Sequence, residues 1–167
     1  MKDLDMLFEN CYEKVAALGI QPGNIVSVGR DRAKTRWGVC RKDVDIRGEY
    51  VYKIKISPRL LEDDVPDKSA EETMIHEILH SCKNCMNHGR EWKALANKVN
   101  TTYGYNIGRV ASHSDMGIEP EPMNYKYIIR CRKCHAEGGF MRAGSVVKNP
   151  GRYKCKCGGD LDVICLR

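Results

Sequence analysis

The chain has 167 residues and a mass of 19.0 kDa, which suits one mid-sized domain with a small satellite and excludes a large multidomain assembly. Hydrophobic residues make up 42% of the sequence, and no stretch approaches the roughly 18 consecutive apolar residues of a membrane span. We therefore expect a soluble protein with no membrane association. The first residues are acidic where a secretory signal is basic, which favours a cytoplasmic location.

The net charge of +6 is unevenly distributed along the chain. Residues 1–124 contain 18 Lys and Arg against 19 Asp and Glu, a net charge of −1, whereas residues 125–167 contain 10 against 3, a net charge of +7. A small basic module beside a nearly neutral body favours a partner with a phosphate backbone.

The first half of the chain carries the pattern of one helix followed by several strands. Apolar residues recur at helical spacing between Leu4 and Leu18, and Gly19 follows as a stop, which predicts a helix over residues 3–18. Three β-rich runs come next, starting at Ile25, around residues 35–40 and over residues 50–56. We expect these runs to form antiparallel strands, with a turn at 43–48.

Two further helices are predicted in the middle of the chain. Ser69 and Glu72 have the spacing of a capping box just before an apolar run, which predicts that a helix begins at Ser69. Apolar residues from Trp92 to Val99 then recur at i, i+3, i+4 and i+7 and predict a helix that ends before Gly104.

A segment rich in proline and glycine, residues 115–123, is typical of a linker. We therefore expect two domains, one over residues 1–122 and a smaller module over residues 125–167. Within the module, residues 126–132 and 140–147 are predicted strands.

The predicted central helix contains the sequence His76-Glu77-Ile78-Leu79-His80, an H-E-x-x-H pattern. Residues four apart on a helix are offset by about 40° and about 6 Å, so both imidazoles can reach one ion. Glu77 projects beside them, at a distance suited to a zinc-bound water. We predict that His76 and His80 bind a catalytic zinc ion and that Glu77 is the catalytic base.

A catalytic zinc site uses three protein ligands and keeps its fourth position for water. His88 is the obvious third ligand, because Gly89 after it allows the chain to turn back. In such a site the pKa of bound water falls from about 15.7 to about 7, and Glu77 would take its proton as the water attacks a peptide carbonyl. Candidates for stabilising the oxyanion are His113, Tyr103 and Tyr105.

Two other interpretations of these histidines stay open. His76 and His80 can be partly buried polar residues satisfied by hydrogen bonds. Alternatively, Cys82, Cys85 and His88 can join His80 in a closed structural zinc site.

Nine cysteines in an intracellular chain are better explained by metal binding than by disulfides. Cys131-x-x-Cys134 and, after 20 intervening residues, Cys155-x-Cys157 resemble the two knuckles of a zinc ribbon. A module of about 40 residues cannot bury enough apolar area to fold alone, so a structural zinc would supply folding energy. The second knuckle has a spacer of one residue instead of two. His135 or Cys165 could therefore replace one of its cysteines as a zinc ligand. Unpaired reduced cysteines in an ordinary small β-module are the other interpretation.

Basic residues of the tail alternate with tyrosines and Phe140, a combination that can pair with phosphates and stack on unpaired bases. The alternative is a solvated basic surface with the aromatic rings packed beneath it.

Together, these motifs resemble the SprT-like family of zinc metallopeptidases. The resemblance rests on the H-E-x-x-H pattern, on His88-Gly89-x-Glu91-Trp92-Lys93 and on the cysteine-rich tail. Members related to Spartan cleave proteins crosslinked to DNA, so the resemblance implies a DNA-associated protease with His76, His80 and His88 as ligands and Glu77 as base. The segment from Lys34 to Cys40 also resembles the related YgjP-like mini-metallopeptidases, which leaves the substrate more open than the zinc chemistry.

We therefore expect an α+β fold. It consists of a zincin-like, minigluzincin-type domain with a small antiparallel sheet, followed by a zinc-ribbon module with Cys131, Cys134, Cys155 and Cys157 as ligands. The expected function is zinc-dependent proteolysis of DNA-bound or DNA-crosslinked proteins, with one catalytic and one structural Zn²⁺. The alternative is a non-catalytic zinc protein that binds nucleic acid. The sequence leaves the oligomeric state open.

Overall fold

The computed structural model describes residues 1–33, 36–109 and 124–166. The chain divides into two compact units, Met1–Glu119 and Pro120–Arg167. The linker predicted at residues 115–123 lies outside the described residues. The two units together form a mixed α+β chain with two small sheets.

The first unit begins with helix α1, Leu4–Ala17, close to the predicted bounds. The side chain of Asp3 accepts a hydrogen bond from the Met6 N–H at 2.9 Å and caps the first turn. Leu7, Cys11 and Val15 lie four residues apart and are buried, so one face of the helix packs into the core.

Three strands follow: β1 (Ile25–Arg30), β2 (Gly38–Val44) and β3 (Tyr50–Ile56). Their order in the sheet is β1-β3-β2. β2 and β3 form an antiparallel hairpin, but β1 pairs with β3 in parallel, so the predicted all-antiparallel sheet is wrong. The physical reason is strand order. β2 runs opposite to β1 but one strand position away from it. β3 then turns back from β2 into the space between them, so it runs in the same direction as β1.

Helix α2, Asp67–His80, packs against α1, α3 and the sheet, and most of its residues are buried. The predicted start at Ser69 is wrong, because Pro66 is the N-cap residue and the helix already begins at Asp67. Proline has a fixed φ and no N–H to satisfy, so it suits this boundary. Ser69 lies within the first turn, where its N–H donates to the Pro66 carbonyl at 3.0 Å, and the Glu72 carboxylate accepts a hydrogen bond from the Asn106 N–H at 2.7 Å.

Helix α3, Arg90–Tyr103, buries Trp92, Ala96 and Val99, as its periodicity predicts. It ends at Gly104, which has a φ of 68°. The core of the first unit is continuous from α1 through the sheet to α3.

The second unit is a three-stranded antiparallel sheet in the order β5-β4-β6. Its strands are β4 (Tyr127–Cys131), β5 (Glu137–Phe140) and β6 (Leu161–Cys165). The strand predicted at residues 140–147 is wrong, because a short helix, α4 (Ser145–Lys148), lies there. β4 pairs with β5 along one edge and with β6 along the other, so it has no free edge with which that segment could pair.

The second unit has little core of its own. Among residues 124–166, Ile129 and Cys131 are the only buried hydrophobic side chains. No helix in the described part of the chain has the length and hydrophobicity needed to cross a membrane.

Candidate metal centre

Helix α2 places His76 and His80 one turn apart, with their rings on the same side. The Nε2 atoms of these two residues are 3.2 Å apart, and the Nε2 atom of His88 lies 3.0 Å from that of His76 and 3.2 Å from that of His80. A tetrahedral zinc site with Zn–N bonds of about 2.0–2.1 Å has nitrogens about 3.3 Å apart. The triangle of imidazole nitrogens therefore fits one tetrahedral ion with a fourth position free of these three ligands.

His88 reaches the site through a tight return between α2 and α3. The chain leaves α2 at His80, and Asn84 adopts a left-handed conformation with a φ of 61°. The side chain of Asn87 accepts a hydrogen bond from the Gly89 N–H at 3.0 Å, which fixes the backbone on both sides of His88. The turn predicted from Gly89 is therefore built mainly by two asparagines.

The other ring nitrogens are held by backbone carbonyls. His80 Nδ1 lies 2.6 Å from the Cys85 carbonyl oxygen. The ring of His76 bonds to the backbone of Gly108, and because its Nε2 faces the other histidines, Nδ1 is the donor. Bonds of this kind fix the tautomer and orientation of a histidine ligand. Both rings are thus preorganised with Nε2 toward the centre.

The indole of Trp92 contacts all three imidazoles. Its ring centroid lies 4.8 Å from that of His76, 5.6 Å from that of His80 and 4.6 Å from that of His88. The side chain is only 2% exposed, so it forms the buried floor of the histidine cluster. The sequence pattern identified Trp92 as a core residue but not as a contact of the ligands.

The environment keeps the three imidazoles neutral. Burial, together with the neighbouring His80 and His88, lowers the pKa of His76 to about 3. Burial also lowers the pKa of His80 and His88 below their ordinary values. Neutral imidazole is the form that binds metal, so few protons compete with an ion at neutral pH.

Glu77 lies against the edge strand β2. A Cβ atom built on Gly38 would come within 2.6 Å of Glu77 Oε1, so only glycine leaves room for the carboxylate at this point of the strand. The backbone N–H of Cys40 donates a hydrogen bond to the Glu77 carboxylate. Strand β2 therefore both makes space for Glu77 and holds it.

Glu77 as a whole residue is only 5% exposed. Burial raises its pKa to about 8, while the Cys40 N–H and the nearby Arg36 act in the opposite direction. A carboxyl group with a pKa near neutrality can take up and return a proton. A divalent cation beside it would lower this pKa.

The sequence profile of the SprT-like family matches residues 7–112, which cover most of helix α1 and all three histidines. The chain belongs to the SprT-like family. No significant match was found among curated proteins or among solved structures.

A second group of metal-ligand side chains lies in the other unit of this SprT-like protein. It contains Cys131, Cys134, Cys155 and Cys157, whose Sγ atoms all lie within 4.8 Å of one another. The Cys131–Cys157 and Cys134–Cys155 Sγ distances are 3.5 and 3.6 Å, close to the roughly 3.8 Å expected between thiolates of a tetrahedral zinc site. The group is compatible with a zinc ribbon. The one-residue spacer, Lys156, does not prevent Cys155 and Cys157 from both joining it.

The first knuckle has backbone donors directed at sulfur. Cys131 Sγ accepts from the Lys133 N–H at 3.3 Å and from the Cys134 N–H at 3.5 Å. The Cys134 N–H, followed by that of Lys133, lowers the pKa of the Cys131 thiol below its ordinary value. The proposed substitutes His135 and Cys165 do not belong to this group.

The alternative closed site in the SprT-like unit is not formed. Among the described residues, Cys82 and Cys85 do not join the histidine group, and both are buried in the hydrophobic core.

Two of the three candidates for the oxyanion, Tyr103 and Tyr105, have hydroxyls that bond elsewhere in the first unit. Tyr103 donates to the Lys14 carbonyl at 3.0 Å, and Tyr105 donates to the Glu71 carboxylate. The Tyr103 hydroxyl thus joins α3 to α1, and the Tyr105 hydroxyl joins the segment after α3 to α2. His113 lies outside the described residues.

Proposed function

We propose that this SprT-like chain is a zinc-dependent metalloprotease that hydrolyses peptide bonds and acts on DNA-bound or DNA-crosslinked proteins. The observation that carries the proposal is the triangle of His76, His80 and His88 nitrogens at 3.0–3.2 Å, with the buried Glu77 between two of these ligands in the sequence of α2. Membership of a family associated with metallopeptidase-like function supports the same chemistry.

The residues of the site divide the reaction between them. Zinc, when bound, supplies a Lewis acid that activates water near neutral pH and polarises a carbonyl. The three neutral imidazoles would hold the ion. Glu77 accepts a proton on its carboxylate as water attacks the peptide carbonyl and returns it to the leaving amine nitrogen, and the Cys40 N–H keeps that carboxylate in place.

The second unit is proposed to be a zinc ribbon that brings the protease to DNA. Three of its basic side chains are neutralised in ion pairs, namely Arg130 with Glu137, Arg132 with Asp162 and Lys154 with Asp160. Within residues 124–166, six exposed basic side chains form no ion pair: Lys126, Lys133, Arg142, Lys148, Arg152 and Lys156. The side chains of Phe140 and Tyr153 are 37% and 38% exposed and are available to stack on unpaired bases.

The cysteine content fits a reducing compartment, because all nine thiols are free. A cytoplasmic location therefore remains part of the proposal.

The proteolytic activity is tested with Glu77→Gln, which keeps the size of the side chain but removes the proton acceptor. We expect at least about a 100-fold loss in the cleavage rate of a protein crosslinked to single-stranded DNA, with the zinc content unchanged. Glu9→Gln, an exposed carboxylate on α1, is the matched control and should cleave like the wild type. Equal cleavage by Glu77→Gln would remove Glu77 as the base. Absence of cleavage by the zinc-loaded wild type, with DNA binding retained, would favour the non-catalytic nucleic-acid-binding alternative.

DNA binding by the second unit is tested with the double variant Arg142→Ala and Arg152→Ala. If both side chains contact phosphates, the slope of log affinity against log salt concentration should fall by about 2. The control is Arg47→Ala with Lys68→Ala, two exposed basic residues of the first unit, which should leave the slope unchanged. An unchanged slope in the first variant would exclude this surface as the DNA contact.

A further inference from the structure

The segment that follows helix α3, residues 105–108, has no regular secondary structure but is tied down residue by residue. The Tyr105 hydroxyl donates to the Glu71 carboxylate, and the Asn106 N–H donates to Glu72 Oε1 at 2.7 Å. Ile107 is only 6% exposed and belongs to the hydrophobic core. The segment is therefore a fixed part of the first unit.

Asn100 contacts both backbone groups of Ile107. Its Oδ1 atom accepts from the Ile107 N–H at 2.8 Å, and its Nδ2 atom donates to the Ile107 carbonyl at 3.1 Å. This pair of bonds reproduces the pattern that a neighbouring β-strand would offer. Asparagine is a poor helix former, and Asn100 lies in the last turn of α3, where its side chain makes these contacts with the segment that follows.

The residue after Ile107 is Gly108, whose backbone bonds to the ring of His76. A clamp on Ile107 thus fixes the position and direction of the next peptide group. We propose that Asn100 is a positioning residue for the metal centre, which holds the 105–108 segment so that the Gly108 carbonyl orients the His76 imidazole. This inference rests on the metal site proposed above.

The test is metal affinity of the full chain, measured by Co²⁺ titration and by competition with a chelator. Thiolate-to-cobalt charge-transfer absorption marks the four-cysteine group, so occupancy of the histidine group can be followed separately in the same molecule. Asn100→Ala is expected to weaken Co²⁺ binding at the histidine group by about 10–100-fold, the usual effect of losing an outer-shell contact. Binding at the four-cysteine group should not change and is the internal reference.

Asn97→Ala is the matched control, because Asn97 is the same residue type on the exposed side of the same helix. It should bind Co²⁺ like the wild type. Alanine is the stronger helix former, so neither variant should unfold α3. Asn100→Asp keeps the acceptor for the Ile107 N–H and loses the donor to its carbonyl, so its affinity should fall between those of the wild type and Asn100→Ala.

A readout specific to His76 separates positioning from a general loss of stability. In the metal-free wild type, the proton on His76 Nδ1 should give a slowly exchanging NMR signal, and Asn100→Ala should broaden or remove it while the His80 signal remains. Wild-type affinity and an unchanged His76 signal in Asn100→Ala would overturn the inference. A wild type that binds Co²⁺ only at its cysteines would instead overturn the proposed function, and this inference with it.

Discussion

Both units gather side chains that suit a metal ion, but the surroundings of the two groups differ. Two of the three histidines lie on the largely buried helix α2, with Trp92 beneath the group and a continuous hydrophobic core around it. The cysteine group lies in a unit where, among residues 124–166, only Ile129 and Cys131 are buried hydrophobic side chains. The hydrophobic core of the first unit is large enough for us to expect that it folds without a metal ion and keeps the histidine ligands oriented. We expect the second to need metal binding at its four cysteines in order to stay folded.

The largest expected effect is on the second unit. Cys131→Ser should unfold residues 124–166, because apparent zinc-binding energies of small modules are on the order of 10 kcal/mol and little apolar burial is left to replace them. The measurement is amide NMR, in which the signals of β4 should collapse into the random-coil range while those of α2 stay dispersed.

Cys165→Ser is the control for this experiment, since Cys165 is exposed and lies outside the four-cysteine group. It should leave both sets of signals in place. If chelators release the zinc and the second unit stays folded, the contrast between the units is wrong.

An intermediate effect is expected where β2 holds Glu77. Gly38→Ala would place its Cβ atom 2.6 Å from Glu77 Oε1, so the carboxylate or the strand must move. We expect a loss of about 1–3 kcal/mol in the free energy of unfolding and a fall in peptide cleavage, with zinc retained. Calorimetry and a cleavage assay measure the two effects.

Gly29→Ala in β1 is matched to this variant, because the nearest atom to its new Cβ would be Lys55 Cγ at 4.0 Å. Its stability and activity should stay close to those of the wild type. Equal behaviour of the two variants would show that the space beside Glu77 is not needed.

The smallest expected effect concerns a polar network that adds to the cohesion of the first unit. Lys14 Nζ lies 2.8 Å from both Glu71 Oε1 and the Tyr105 hydroxyl. Burial alone would raise the pKa of Glu71, but the hydrogen bonds from Lys14 and Tyr105 outweigh it and lower the pKa below the ordinary 4.5. The ionised carboxylate therefore stabilises the fold above about pH 4.5, and this contribution is lost as the pH falls through the lower folded-state pKa.

Glu71→Gln should accordingly lower the free energy of unfolding by about 1–2 kcal/mol at pH 7, and the difference from the wild type should shrink below pH 4. Chemical denaturation across this pH range measures it. The exposed Glu13 gives the control variant Glu13→Gln, for which no such dependence is expected. A constant difference between pH 7 and pH 3 would mean that ionisation of Glu71 does not support the fold.

The sequence was most informative where structure depends on local spacing. α1 and α3 follow from their apolar periodicity, and alternation in β3 correctly separates the buried Ile54 and Ile56 from the exposed Lys53 and Lys55. The start of α2 was wrong because two signals compete there, and the proline at position 66 outweighs the Ser69 capping pattern. The direction of β1 was wrong because strand order depends on the whole sheet.

The candidate site shows the same difference between local features, which the sequence predicts, and non-local ones, which it does not. His76, Glu77 and His80 could be proposed together because a helix turn brings them together. The Cys40 N–H and the Gly108 carbonyl could not, since they come from segments far along the chain and act through backbone atoms that any residue carries. In the second unit β6 was missed, and its pairing with β4 is equally non-local.

The contact of Trp92 with all three imidazoles has a practical consequence. The chain has two tryptophans, so Trp37→Phe leaves Trp92 as the single indole. Its ring centroid lies 4.6 Å from that of His88. A paramagnetic ion such as Co²⁺ at the histidines will quench the emission of that indole, while zinc will not. That indole would therefore distinguish Co²⁺ from Zn²⁺ at the proposed metal centre without any added label.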